Sequence, residues 1–434
     1  MSHIPATITA LEAIVRFNQD RKPKLVRLKL RRMLQDPFTF FRGTNHLFVA
    51  SWPELQPPEA GPDILICGDL HLENFGAYRT TEGDFRYDIN DFDEAMVAPS
   101  SMDLVRCTTS IFLAAEQWRL TPTQATSMSL AYLEHYRKAV LAATRAGAVG
   151  EVAPRSGHGA IWELLGTTAS GIQQALLERN TKRRANGRPI IRRAANHPEV
   201  SRRRLDLIRE TMEAHGGKVG EPGAFRVHDV TGRIAGVGSL GVRRYLALLE
   251  GEGPPNGYRL LDIKQVEPSV LAGRSLAPQP DYGGDEARRV VQAQTTLQGH
   301  PSAGLDTLQI GRHSYRIREM IPEENRSSLD RFRKQPAKLR EAVETAGLLT
   351  AWSHLRGGRL ALGPNQDQKQ DHWPELADWS SGAAIDAVLA AAARYAERTN
   401  QGYAEFRQGV RDARGVTHCL EQSAVDRERK PVPT

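Results

Sequence analysis

Cysteine is scarce in this chain of 434 residues: Cys67, Cys107 and Cys419 are odd in number and far apart. That pattern excludes a disulfide framework and offers no zinc-ligand spacing. No run of about 18 apolar residues exists, so no transmembrane helix and no membrane partner are expected. The opening residues, Met1-Ser2-His3-Ile4-Pro5, lack a basic stretch followed by an apolar core, so no secretory leader is expected and the cytoplasm is the default compartment. Acidic patches suited to a polycationic ligand are few, and the net charge is +7.

The excess charge is not spread evenly, because eleven arginines and lysines fall between Arg179 and Arg209. This segment is either a solvated basic face or an anion-binding surface for a phosphorylated substrate, an acidic partner or nucleic acid. Nucleic acid is not favoured, since no aromatics are interleaved to stack bases and no nucleic-acid module matches.

The chemistry-bearing residues lie elsewhere. Ile64-Leu65-Ile66-Cys67 reads as a short buried strand, and Gly68-Asp69-Leu70-His71-Leu72-Glu73-Asn74-Phe75-Gly76 follows it, which places Asp69 and Asn74 on the loop leaving that strand. After a turn at residues 80–84, Phe85, Tyr87 and Ile89 alternate with polar residues up to Asn90-Asp91-Phe92-Asp93-Glu94, as in a strand delivering carboxylates to a site edge. Phosphoryl transfer needs a carboxylate to orient or deprotonate a hydroxyl, and oxygen ligands that hold Mg²⁺ against nucleotide phosphates. Asp69, Asn74 and Asp91 can fill those roles; the alternative is a pair of Asx-rich turns whose side chains satisfy local backbone.

The spacing Asp-x-x-x-x-Asn followed by a strand ending in Asp resembles the catalytic and metal-binding loops of protein-kinase-like enzymes, particularly aminoglycoside and choline phosphotransferases. The resemblance implies that Asp69 is the catalytic base, that Asn74 and Asp91 bind metal, and that Asp93 is a further candidate ligand. It also gives Asp103, at the start of a helical stripe running through Leu104, Cys107, Ile111 and Phe112, the role of bracing the catalytic loop; an ordinary helix cap is the alternative.

Past Gly216-Gly217 to Pro222-Gly223 the texture changes to strands, at 225–227, 233–235, 245–249 and 259–264. Between the second and third lies Gly236-Val237-Gly238-Ser239-Leu240-Gly241. A dinucleotide fingerprint would open a helix, whereas the residues after this one are strand-like, which suits a kinase Gly-rich loop over phosphates. Behind it, Lys264 ends an apolar strand and matches a phosphate-contacting lysine. Glu286 opens a helical stretch from which it is expected to pair with Lys264. Tyr315 to Pro322, including Met320, resembles a last strand entering an adenine-binding hinge.

Kinase-like chains place this lobe before the catalytic loop, whereas here Asp69 precedes Gly236. Either the fold is circularly permuted or the Gly-rich segment is a coincidental hairpin. Permutation requires a helix after the small lobe, and Leu339–Arg356, with Leu348 to Leu355, supplies it; a further helix spans Ala383 to about Gly409. The expected fold class is therefore α+β: a two-lobed, kinase-like fold in permuted order, with a mainly helical large lobe and a small antiparallel-sheet nucleotide lobe. Boundaries are expected at a helical arm (1–60), the first part of the large lobe (61–215), the small lobe (216–325), the remaining helices (326–420) and a disordered tail (421–434). The pattern from Pro37-Phe38 to the Tyr395–Tyr403 region is similar to the bacterial family known as domain of unknown function 2252.

Three functions compete. The first is ATP- and Mg²⁺-dependent phosphoryl transfer to a hydroxyl acceptor of unknown identity, weakly favoured as anionic by the basic segment. The second is nucleotidyl transfer in the same cleft, and the third is a non-catalytic nucleotide-binding or scaffold protein.

Overall fold

A computed structural model describes residues 9–152, 159–161, 163, 172–250, 257–275, 277–320, 329–359 and 371–411. The chain begins with four helices: α1 (Ala10–Phe17), α2 (Pro23–Met33), α3 (Pro37–Gly43) and α4 (Asn45–Leu55). Pro23 lacks an amide hydrogen and starts α2, which separates it from α1. Thr9 and Glu12 close a capping box that starts α1.

Next come β1 (Asp63–Ile66), β2 (Phe75–Arg79), β3 (Phe85–Ile89) and β4 (Met96–Pro99). They form two separate antiparallel pairs, β1 with β4 and β2 with β3. Helices α5 (Ser100–Gln117) and α6 (Pro122–Ala146) follow. Much later in the chain, α10 (Pro336–Gly357), α11 (Trp373–Ser381) and α12 (Ala384–Arg411) pack with them around one apolar core. Helices α6 and α10 approach so closely that a Cβ at Gly347 would lie 2.2 Å from the Tyr132 carbonyl oxygen.

The intervening chain carries α7 (Ile172–Asn180), β5 (Thr181–Arg183), β6 (Pro189–Ile191), α8 (Arg202–Lys218), β7 (Val227–Gly232), β8 (Arg244–Glu250), β9 (Tyr258–Gln265), α9 (Glu286–Leu297), β10 (Asp306–Ile310) and β11 (His313–Glu319). Five of these strands form one antiparallel sheet in the order β10-β11-β9-β8-β7. The protein is thus mixed α+β with small antiparallel sheets. Among the described residues no helix is long and apolar enough to cross a membrane.

One sheet face buries Tyr245, Leu261, Ile263 and Tyr315 against Ile208 and Met212 of α8. The basic segment therefore includes a helix with an apolar face, and that helix runs through Gly216-Gly217, where a boundary was expected. The other face is apolar at one end, where Leu246, Leu248, Leu260 and Met320 meet Leu176 of α7, and charged at the end toward the helical body. Arg233-Ile234-Ala235 lies beyond the end of β7 rather than in a strand, because the Ile234 amide leaves the sheet to donate to Asn196. Ile321-Pro322 of the expected hinge and the tail at 421–434 lie outside the described residues.

Candidate functional site

Strand β1 is buried except at its first residue and runs directly into the Asp69 loop. Gly68 turns the chain with φ of +80°, and a Cβ there would meet the Glu94 carbonyl oxygen at 2.3 Å, so only glycine fits. Asp103, in the first turn of α5, accepts the backbone amides of Cys67 at 2.8 Å and Gly68 at 2.9 Å. Its carboxylate braces the loop and does not cap its own helix.

One turn further along α5, the fully buried Arg106 donates from Nε to Asp69 Oδ1 at 2.5 Å and stacks over Phe41. Burial pushes the Asp69 carboxyl up to about 7 even though Arg106 pulls it down, and Glu94 and Asp91 push in the same direction as burial. Asn74, at the end of a short 3-10 turn, donates from Nδ2 to the Asp69 carbonyl oxygen at 2.6 Å. Only its Oδ1 is left to face a cation.

The β2–β3 hairpin ends by delivering Asn90, Asp91 and Asp93 beside this loop, with the Asn90 amide tied to the Asn74 carbonyl at 2.7 Å. Lys264 of β9 enters from the sheet: its Nζ pairs with Asp93 and lies 3.9 Å from Asp91 Oδ1. The expected Lys264–Glu286 pair is not formed. Glu286 instead binds Arg289 at 2.6 Å, one turn along α9, because that guanidinium is already fixed beside it. Arg289 donates to the carbonyls of Asp93, Ala95 and Glu267, so α9 reaches the site through an arginine.

Gly236, Gly238 and Ser239 line the same cleft as Asp69, Asn74, Asp91, Asp93 and Lys264. Gly241 and Met320 do not line it. Gly241 packs behind the loop, where a Cβ would lie 2.7 Å from Arg21 Cβ. Met320 is buried in the apolar end of the sheet, with its amide committed to Leu260.

The amino-terminal helices grip the Gly-rich loop by its carbonyls. Arg21 donates to Gly238 at 2.8 Å and Leu240 at 3.2 Å, Lys29 to Gly238 at 3.0 Å, and Arg32 to Gly236 at 2.8 Å. Lys29 is buried, and burial together with Arg21 holds its ammonium well below the usual lysine range. Arg42 pairs with Glu73 at 2.5 Å. These contacts were not foreseen from the sequence. Arg106 had one signal: it stands three residues after Asp103, hence on the same helix face.

The sequence profile of a bacterial family described as an uncharacterized protein conserved in bacteria, DUF2252, matches residues 21–409. The chain belongs to this family. No curated protein and no solved structure matches it.

In this DUF2252 chain residues lining the cleft also carry polar atoms without partners. Asn45 Oδ1, both ring nitrogens of His46 and Nδ1 of His71 are buried and unbonded at its wall. Burial and the cations Lys29, Arg21 and Arg106 hold His46 at about 3, so it is neutral. Among the described residues no group of three or more acidic, histidine or cysteine side chains is arranged to hold an ion. A Mg²⁺ ion needs only one or two protein oxygens when phosphates and water complete its shell. Asp91, whose side chain is half exposed, and Asn74 Oδ1 fit that need, whereas Asp93 is engaged by Lys264.

Proposed function

We propose that this protein is an ATP- and Mg²⁺-dependent phosphotransferase acting on a hydroxyl. The observation that carries the reading is the Lys264–Asp93 pair, which joins two motifs more than 170 residues apart in one cleft beneath the Gly-rich loop. Asp69 has the properties of a general base. Its carboxyl titrates near 7, the range in which a base is ionised yet still takes a proton readily. Arg106 on Oδ1 fixes its orientation and leaves Oδ2 for the acceptor.

In the reaction the acceptor oxygen bonds to the γ-phosphorus, the bond from that phosphorus to the β–γ bridging oxygen breaks, the hydroxyl proton passes to Asp69, and ADP leaves. Bound Mg²⁺ supplies charge neutralisation across the phosphates. Asp91 and Asn74 would hold it, Lys264 would meet the phosphates, and the Gly236–Ser239 backbone would lie over them. A fixed array of this kind lowers the barrier by positioning and electrostatics rather than by covalent chemistry.

The test is a thermal-shift titration of the whole chain with ATP and Mg²⁺, run beside Asp91→Asn and Lys264→Ala, with nucleotide products separated by chromatography. Ligand at about 100 times its dissociation constant stabilises the fold by roughly 2.7 kcal/mol. A metal-dependent shift weakened by both substitutions, with ADP formed and Asp69→Asn silent in turnover, supports the reading. No shift in the wild type overturns it, and pyrophosphate in place of ADP redirects it to nucleotidyl transfer.

A further inference from the structure

The charged end of the sheet poses a problem that the phosphotransferase reading alone does not resolve. Arg244, Lys264 and Arg316 are register partners on three adjacent strands, β8, β9 and β11, and so form one row across the sheet. Arg318 stands two residues beyond Arg316 along β11, on the same face because strand side chains alternate. All four line the cleft and all are at least nine-tenths buried.

Their compensation is incomplete. Asp262, almost fully buried, is shared by Arg244 through two bonds of 2.6 Å, Arg233 at 2.8 Å and Arg316 at 3.4 Å. Those three arginines hold its carboxyl well below the usual range although burial alone would raise it. Arg318 Nη1 donates to a neutral acceptor, the Asn90 carbonyl, at 2.9 Å. Arg316 Nε is buried without a partner. The four cations of the row thus meet Asp262, Asp93 and Asp91, and Arg233 also draws on Asp262. Burial and the neighbouring Arg316 also push the Arg318 guanidinium well down from its ordinary range. Buried charge of one sign is costly unless it is paired, and an uncharged base would leave the unpartnered Arg316 Nε and the neutrally bonded Arg318 uncompensated.

We infer that the row Arg244–Lys264–Arg316–Arg318 is a polyphosphate subsite, so that the ligand's phosphate chain, and not its base, lies against the sheet. Planar guanidinium groups bind phosphate oxygens bidentately, and cations in a row on neighbouring strands can be met by successive charged groups of one phosphate chain. The expectation of an adenine at the end of β11 then fails for a physical reason: Met320 is packed away among leucines, and the last side chain before it on the cleft face is Arg318. The inference rests on the cleft being the ligand site, as the phosphotransferase reading has it, but not on any transfer taking place.

The test measures binding of inorganic tripolyphosphate and of adenosine to the full chain at fixed ionic strength, without Mg²⁺. The variants are Arg316→Gln, Arg318→Gln and Arg318→Lys, with Arg202→Gln, an exposed arginine of the basic segment, as control. Tripolyphosphate should bind, adenosine should not, both glutamine variants should weaken binding roughly tenfold or more, Arg318→Lys should recover part of it, and Arg202→Gln should match the wild type. Unchanged affinity in both glutamine variants overturns the inference, as does adenosine binding as tightly as tripolyphosphate.

If the glutamine variants do not fold, hydrogen exchange on the wild type decides: added tripolyphosphate should protect β8, β11 and the Gly236–Gly241 loop. Protection confined to residues 179–209, or none, overturns the inference. Tripolyphosphate bound at the arginines without ATP turnover would sink the phosphotransferase reading alone. Mg²⁺-dependent turnover indifferent to Arg316 and Arg318 would sink this inference alone.

Discussion

Replacing Asp103 by alanine should loosen the Asp69 loop and destabilise the whole helical body. The carboxylate is almost fully buried and accepts two backbone amides, from Cys67 and Gly68, which have no alternative acceptor in the loop as it is built. His354 Nε2 approaches it at 3.5 Å, and Tyr136 in turn reaches His354 Nδ1 at 3.0 Å, so the brace is embedded in a polar network beneath the site. Hydrogen bonds to a charged group contribute about 1.5–3 kcal/mol each; losing two should cost about 4 kcal/mol. Unfolding entropy of about 2.1 cal/mol/K per residue comes to about 0.9 kcal/mol/K for a chain of this length, so the melting temperature should fall by about 4 °C. Asp103→Asn keeps a single acceptor oxygen and should lose about half as much. Calorimetry gives the melting temperatures, and hydrogen exchange of the 67–68 amides gives the local effect. A drop below 1 °C in Asp103→Ala, or unchanged exchange at those two amides, would refute the reasoning.

Two further outcomes follow from the same loop. Because the Asp69 carboxyl is raised from 3.8 to about 7 in the folded state, the folded protein binds the proton more tightly than the unfolded chain. Its contribution to stability is therefore fully present below pH 3.8 and is lost as pH rises to about 7. Denaturant titrations of wild type and Asp69→Asn should diverge across that window, while any transfer activity should rise with an inflection near pH 7; parallel stability curves would contradict the shift. Gly68→Ala forces both a positive φ and a contact with the Glu94 carbonyl, so it should destabilise by about 2 kcal/mol or more, measurable as a lower denaturant midpoint. An alanine variant as stable as the wild type would mean that the turn can rebuild itself.

What was legible in the sequence was what local pattern encodes. The strand before Gly68, the strand from Phe85 to Ile89, the helix from Ala383 to about Gly409, and the strand ending at Lys264 all follow from apolar periodicity and turn residues. The identity of the carboxylate that meets Lys264 was not legible. Glu286 and Asp93 are equally acidic, and the choice between them depends on where α9 docks and on Arg289 occupying Glu286 first. The arginine row was hidden for a related reason: Arg244, Lys264 and Arg316 become neighbours only through the pairing of three strands. Each taken singly looks like an ordinary surface residue of an amphipathic strand.

The grip of the amino-terminal helices on the Gly-rich loop bears on when, during synthesis, this cleft can exist. Val237 of that loop sits in an apolar cluster with Leu11, Ile14 and Leu30 from α1 and α2 and with Tyr403 and Phe406 from α12. The Tyr403 hydroxyl also ties α12 to the Leu34 carbonyl at 2.8 Å. The first helices wait on the ribosome for a partner made long after them, and the loop between waits for both. At about 5–20 residues per second, roughly 170 residues separating Val237 from Phe406 correspond to a delay of about 8–34 s. A nascent chain therefore carries Asp69, Lys264 and the glycines for that interval without the roof that holds them in register, and the cleft is complete only as α12 closes the cluster.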